Sequence, residues 1–85
     1  MIRVNVLLFA AHRETMGPRK LECTLPDGST VESVYGELVA QEPRMADLRA
    51  FTTFALNRQM VEPCTVVRDG DEIALLQPVS GGCHD

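Results

Sequence analysis

The feature that most constrains the fold is a single long stretch of helical spacing, opened by Ser29-Thr30-Val31-Glu32 and closed by Glu42-Pro43 in a chain of 85 residues. Ser29 and Glu32 stand at the spacing of a capping box, in which the hydroxyl and the carboxylate reciprocally satisfy free backbone N–H groups at a helix start. Val31, Val34, Tyr35, Leu38 and Val39 then fall on one face, and the proline stops the element. One apolar helix face needs a sheet to cover it, so the rest of the chain is read for strands.

Ile2, Val4, Val6 and Leu8 alternate with Arg3, Asn5, Leu7 and Phe9, the period of a half-buried strand whose outer face ends apolar. Ala10 to Met16 reads as a short helix stopped by Gly17-Pro18, and Lys20 to Leu25 alternates again. Pro26-Asp27-Gly28 is a turn. Beyond the long helix, Phe51 to Leu56 is a third strand, Asn57-Arg58-Gln59 a turn, Met60-Val61 a strand remnant and Glu72 to Leu76 the last strand. The order predicts an α+β roll, with a mixed sheet of four to five strands around one main helix. The first and last strands are strongly apolar, which places them parallel in the middle of the sheet, joined by a right-handed connection. The expected domain is 1–79, with 80–85 as a C-terminal tail.

Size and charge narrow the function. A hydrophobic content of 45% against 24% charged suits one globular domain with its own core. The formal charge of −4, with no run of Lys or Arg, argues against nucleic-acid or anionic-membrane partners. Cys23, Cys64 and Cys83 form neither an even disulfide set nor a Cys-x-x-Cys pair, which fits a reducing, cytoplasmic setting. No stretch approaches the roughly 18 apolar residues of a membrane span.

The end of the chain carries the chemistry. After Pro78 and Val79 no apolar side chain precedes the diglycine Gly81-Gly82, and adjacent residues without Cβ atoms pass through narrow slots. Val79 to Gly82, extended, spans about 13 Å at roughly 3.3 Å per residue, enough for a tail to enter a partner's pocket. Cys83-His84-Asp85 follows and turns the Gly82 carboxyl into an amide.

Five segments carry a family likeness: Ile2 to Gly17 with Phe9-Ala10 and Arg13-Glu14, Leu25 to Val31, Ala55-Leu56-Asn57, Asp69 to Ala74, and Pro78 to Gly82. On these the chain resembles the small subunit of molybdopterin synthase, within the ubiquitin-like sulfur carriers that include the thiamine-pathway carrier. The resemblance implies a β-grasp fold and a carrier that is not itself an enzyme. It also implies a partner adenylating enzyme that spends ATP to activate the Gly82 carboxylate, with Gly81 beside it, for conversion to a thiocarboxylate. No cofactor is expected on the chain itself. A sulfur-accepting enzyme such as the synthase large subunit is expected to pack against Phe9, Met60 and Leu76, with Pro78 and Val79 leading the tail inward.

The extension leaves three readings: a precursor cut by a peptidase between Gly82 and Cys83, a persulfide carried on Cys83, or a paralogue surviving as a binding module. A ubiquitin-like modifier joined through Gly82 to a target lysine is the reading from another class. Three consecutive residues, Cys83-His84-Asp85, lack the fixed geometry of a closed metal site. His12 is expected to be solvated or helix-capping, Cys23 and Cys64 buried or half-buried, and Asn57 to hold a turn.

Overall fold

The computed structural model describes residues 1–77. Five strands, β1 (Ile2–Leu8), β2 (Lys20–Leu25), β3 (Thr53–Leu56), β4 (Gln59–Val61) and β5 (Glu72–Leu76), form one sheet in the order β2-β1-β5-β3-β4. β1 and β5 pair parallel at the centre, Val6 opposite Ile73 and Leu8 opposite Leu75, while the other pairings are antiparallel. Their inner residues Val4, Val6, Leu8, Ile73 and Leu75 are fully or almost fully buried against Val31, Val34, Tyr35 and Leu38 of helix α2 (Val31–Gln41). Each such apolar side chain contributes roughly 1.5–3 kcal/mol on leaving water. A mixed sheet wrapped round one helix is the β-grasp roll that the sequence predicted.

The start of α2 corrects the expected cap by one residue. Thr30, not Ser29, is the N-cap: its Oγ1 accepts from the Ser33 backbone N–H at 3.2 Å and Ser33 Oγ accepts from the Thr30 N–H at 3.4 Å. Ser29 is occupied elsewhere, because its hydroxyl donates to the Pro26 carbonyl at 2.7 Å and its own carbonyl accepts from Val67 N–H at 2.9 Å. The free amides of Val31 and Glu32 are met by the carbonyls of Thr65 and Pro63, both at 2.9 Å, so a distant loop completes the helix start.

Between α2 and β3 lies an element that the helix and strand periods did not reveal, a 3-10 helix over Pro43–Phe51. Glu42 before the proline is extended, and its carboxylate accepts from Arg44 N–H at 3.2 Å, which turns the chain into the new helix. Met45, Leu48 and Phe51 recur every third residue and eclipse on one side of a helix with three residues per turn. Met45 is buried and Leu48 partly so, whereas Phe51 is 61% exposed. Phe51 therefore belongs to this helix, and the strand expected from Phe51 begins at Thr53.

Asn57 holds its turn as expected, at φ 50, followed by Arg58 at φ 73. Positive φ at both central residues is the backbone of a primed hairpin turn. The Asn57 side chain also clamps the start of β5: Nδ2 donates to Asp71 Oδ1 and Oδ1 accepts from Glu72 N–H, both at 3.0 Å. Gly70, at φ 87, lets the preceding turn donate its N–H to the Arg3 carbonyl at 2.7 Å. Asn57→Ala is expected to lower unfolding free energy by about 2 kcal/mol, two hydrogen bonds and a tolerated left-handed conformation being lost together. Urea denaturation monitored by circular dichroism checks this value.

Candidate functional site

The strand registers assemble one apolar row across the outer face of the sheet. Leu7 lies opposite Ala74, Ala74 opposite Ala55, and Ala55 opposite Met60, so four strands contribute a side chain each. These residues alternate with the core residues Leu8, Leu75 and Phe54, which is why they face away from α2. Met60 is 62% exposed, Leu7 and Leu76 are half-buried, and Ala55 is small enough to be covered by its neighbours.

Phe9 extends the row at one end. Its backbone stays extended (φ −130, ψ 155), continuing the alternation of Leu7, and its side chain is 47% exposed. Because Leu8 pairs with Leu75, Phe9 is level with Leu76, at the end of the sheet where β5 runs out to Gln77. Thr53 Oγ1 donates to the Leu76 carbonyl at 3.3 Å and ties that end to β3. The expected contact residues Phe9, Met60 and Leu76 thus share one face, and Pro78, Val79, Gly81, Gly82 and Cys83 lie outside the described residues. So does the domain boundary expected at 79/80. Ala55 and Ala74 are members of the row that sequence reasoning missed, although strict alternation from Leu76 and Phe54 would have found them.

Beside Met60 the chain diverges after β4 and leaves an open cleft of about 320 Å³, lined by Thr52, Thr53, Phe54, Met60, Val61, Glu62 and Pro63. Met60 is shared by the cleft and the row. A large apolar side chain of a partner has both a flat strip and an adjoining recess to occupy.

His12 is a correction. It is wholly buried, with Nε2 2.7 Å from Thr52 Oγ1, rather than solvated. Its position one turn before Met16 on the short helix α1 (Ala10–Met16) faces the 3-10 helix, and burial holds its imidazole below the ordinary range. Cys23 is buried as expected, and burial first, then the Glu37 carboxylate, pushes its thiol upward and away from reactivity. Cys64 is exposed, against expectation, because it sits in the turn whose neighbouring carbonyls serve α2.

Glu32 and Arg49 join α2 to the 3-10 helix through paired hydrogen bonds, Arg49 Nε lying 2.9 Å from Glu32 Oε2. Those bonds hold the Glu32 carboxyl below the usual range. The Arg49 guanidinium also stands 4.9 Å from the centre of the Phe54 ring. This is a structural pair, one side of which is half-exposed. No cluster of His, Cys, Asp and Glu fit to hold a metal occurs among the described residues, nor does any helix there have the length and apolarity to cross a membrane.

Comparisons place this geometry among known proteins. The chain is similar to the molybdopterin synthase sulfur carrier subunit of Arabidopsis thaliana, at 36% identity over 81 residues, covering 95% of this chain and 84% of that protein. Its fold is similar to that of a putative molybdopterin converting factor subunit 1 from Pyrococcus furiosus, with a TM-score of 0.84 at 25% identity, covering 93% of this chain and all of that one. A chain from the complex of subunits 1 and 2 of the Helicobacter pylori molybdopterin-converting factor shares the fold at a TM-score of 0.67 and 21% identity, covering 95% and 100%. With a match to its sequence profile running from residue 6 to residue 82, the chain belongs to the ThiS family.

Proposed function

We propose that this chain is the sulfur-carrier subunit of a molybdopterin synthase, serving the biosynthesis of molybdenum cofactor or a related thio-metabolite, and that it is not an enzyme by itself. The observation that carries this reading is the extent of the family match, which takes in nearly the whole β-grasp body and ends at Gly82. Cys83-His84-Asp85 falls beyond it.

A peptidase hydrolyses the Gly82–Cys83 amide and frees the Gly82 carboxylate. A partner adenylating enzyme then joins that carboxylate to AMP and releases pyrophosphate from ATP, supplying the leaving group that a carboxylate lacks. A sulfide-equivalent nucleophile displaces AMP and leaves a thiocarboxylate. Glycine at this position puts no side chain beside the carbon under attack. The sulfur is transferred in the accepting enzyme, water supplies the oxygen that takes its place on the Gly82 carbonyl carbon, and a carboxylate remains to be charged again.

The Phe9, Leu7, Ala74, Ala55 and Met60 strip is the surface we assign to the synthase large subunit. Support comes from the exposed Phe9 and Met60 at its two ends, with half-buried Leu7 and Ala74 between them, and from the likeness to a two-subunit converting factor. Free Cys23 and exposed Cys64 suit the cytoplasm.

Intact mass of the protein isolated from its native cells tests the reading. The expected species ends at Gly82 and shows an oxygen-to-sulfur mass gain. Retention of Cys83-His84-Asp85 on the sulfur-bearing form would overturn it in favour of a Cys83 persulfide, and isopeptide conjugates on denaturing gels would mark a modifier.

A further inference from the structure

Helix α1 is anchored in an unusual way. His12 is its one fully buried residue, and Met16 adds only a partial contact to the core. Phe9 supplies no side-chain cap, the first helical residue Ala10 sits at φ 47, and the Arg44 Nη2 bond to the Thr15 carbonyl is exposed at 3.3 Å. The hold of α1 on the body therefore passes through an imidazole.

The hydrogen-bond chain fixes how that imidazole is protonated. Thr52 Oγ1 donates its single proton to the Leu48 carbonyl at 2.6 Å, so it accepts from His12, and Nε2 carries the hydrogen. Nδ1 is then a bare acceptor, buried and without a partner. The oxygen that answers a proton there, the Phe9 carbonyl, already receives the backbone N–H groups of His12 and Arg13 at 3.0 and 3.3 Å. It makes no bond to Nδ1 in the folded structure, and its pull toward the protonated ring is outweighed by the lowering that burial imposes.

Charge offers no relief. From α2, Tyr35 meets the ring edge-on at 6.5 Å between centroids, and Glu32 is taken by Arg49. On the 3-10 helix Arg44 is paired with Glu42, Arg49 is cationic, and Asp47 makes no ion pair with another described residue. Arg13 and Glu14 of α1 itself are exposed, and no carboxylate among the described residues pairs with the ring.

We propose that His12 is a protonation latch: a proton taken up at Nδ1 releases α1 from the 3-10 helix, and Phe9 with it, while the five-stranded sheet stays folded. A cation in this site has a second N–H whose acceptor, the Phe9 carbonyl, is already shared by two backbone amides, and no counter-charge among the described residues, and the weakly capped seven-residue helix is the cheapest element to let go. The effect on docking rests on the role given to Phe9 above, whereas the opening of α1 does not.

The test is amide hydrogen exchange by NMR on the full chain between pH 7.5 and 5. Protection of residues 10–16, corrected for intrinsic exchange, is expected to fall about tenfold, the order of effect of one buried polar group left without a partner. Amides of β1 and β5 are expected to hold. His12→Gln keeps an N–H donor for Thr52 without titrating and should flatten the response. Flat protection of α1 in the unaltered chain overturns the latch, as does an undiminished fall in His12→Gln. Should that variant not fold, ring resonances of the unaltered chain decide: free titration of His12 with α1 still protected overturns it equally. Large-subunit binding measured over the same range separates the two readings, because loss of docking without opening of α1 would count against the latch and leave the carrier function standing.

Discussion

Gly82→Leu is expected to abolish charging of the carboxyl terminus while leaving the body folded. In a chain ended at residue 82, adenylation places the Gly82 carboxyl carbon beside the α-phosphate of ATP, and a branched side chain on the adjoining Cα displaces that carbon from line. A misplacement of about 1 Å costs on the order of 100-fold in rate. Pyrophosphate exchange with the partner adenylating enzyme reads the loss, and intact mass shows whether any thiocarboxylate forms. The thermal midpoint should be unchanged, since the core is assembled from residues between Ile2 and Leu75. In the full chain, sulfur still acquired by this variant would move the carrier atom to Cys83.

Phe54→Ala is expected to cost about 3–5 kcal/mol, the range for removing a fully packed aromatic ring. Phe54 is 2% exposed, lies edge-on to Tyr35 at 5.9 Å between centroids, and carries the Arg49 guanidinium over its face. Domains of this size have on the order of 5–15 kcal/mol in total, so the variant loses a large share of its stability. Phe51→Ala, three residues earlier, should change stability by no more than about 0.5 kcal/mol because that ring is 61% exposed. Urea titration of the two variants side by side makes the contrast direct, and equal losses would refute the exposure of the Phe51 ring at the end of the 3-10 helix.

The acid side of stability follows from His12. Its folded-state imidazole is held low by burial, so the unfolded chain takes up a proton first as pH falls. Stability tied to this residue is complete above about pH 6.5, the ordinary value for imidazole, and drains away as pH drops through the lower folded value. That window opens above the range where Asp and Glu titrate, which lets the His12→Gln comparison isolate it.

Much of this architecture was legible because local patterns and the final fold agree. Alternation in Ile2–Leu8 and Glu72–Leu76 specified two half-buried strands, and the spacing from Val31 to Val39 specified the helix they cover. Asn57 announced a left-handed turn through its side-chain chemistry, which tolerates positive φ. The diglycine and the segments before it pointed to the sulfur-carrier family to which the chain belongs.

Other features depended on contacts between residues far apart in the chain. Ser29 and Thr30 are both competent caps, and the choice fell to Thr30 only because the loop from Pro63 to Val67 claims the backbone around Ser29. A histidine among charged neighbours carries no local sign of burial; Thr52, forty positions away, gives His12 its partner. Cys64 is driven outward by the same loop geometry that completes α2. Periodicity records which side of an element is apolar, a property of neighbours three or four positions apart. Which hydroxyl caps, which ring is enclosed and which apolar strip is left bare are decided by long-range packing, where competing local solutions differ by a hydrogen bond and the surrounding fold selects one.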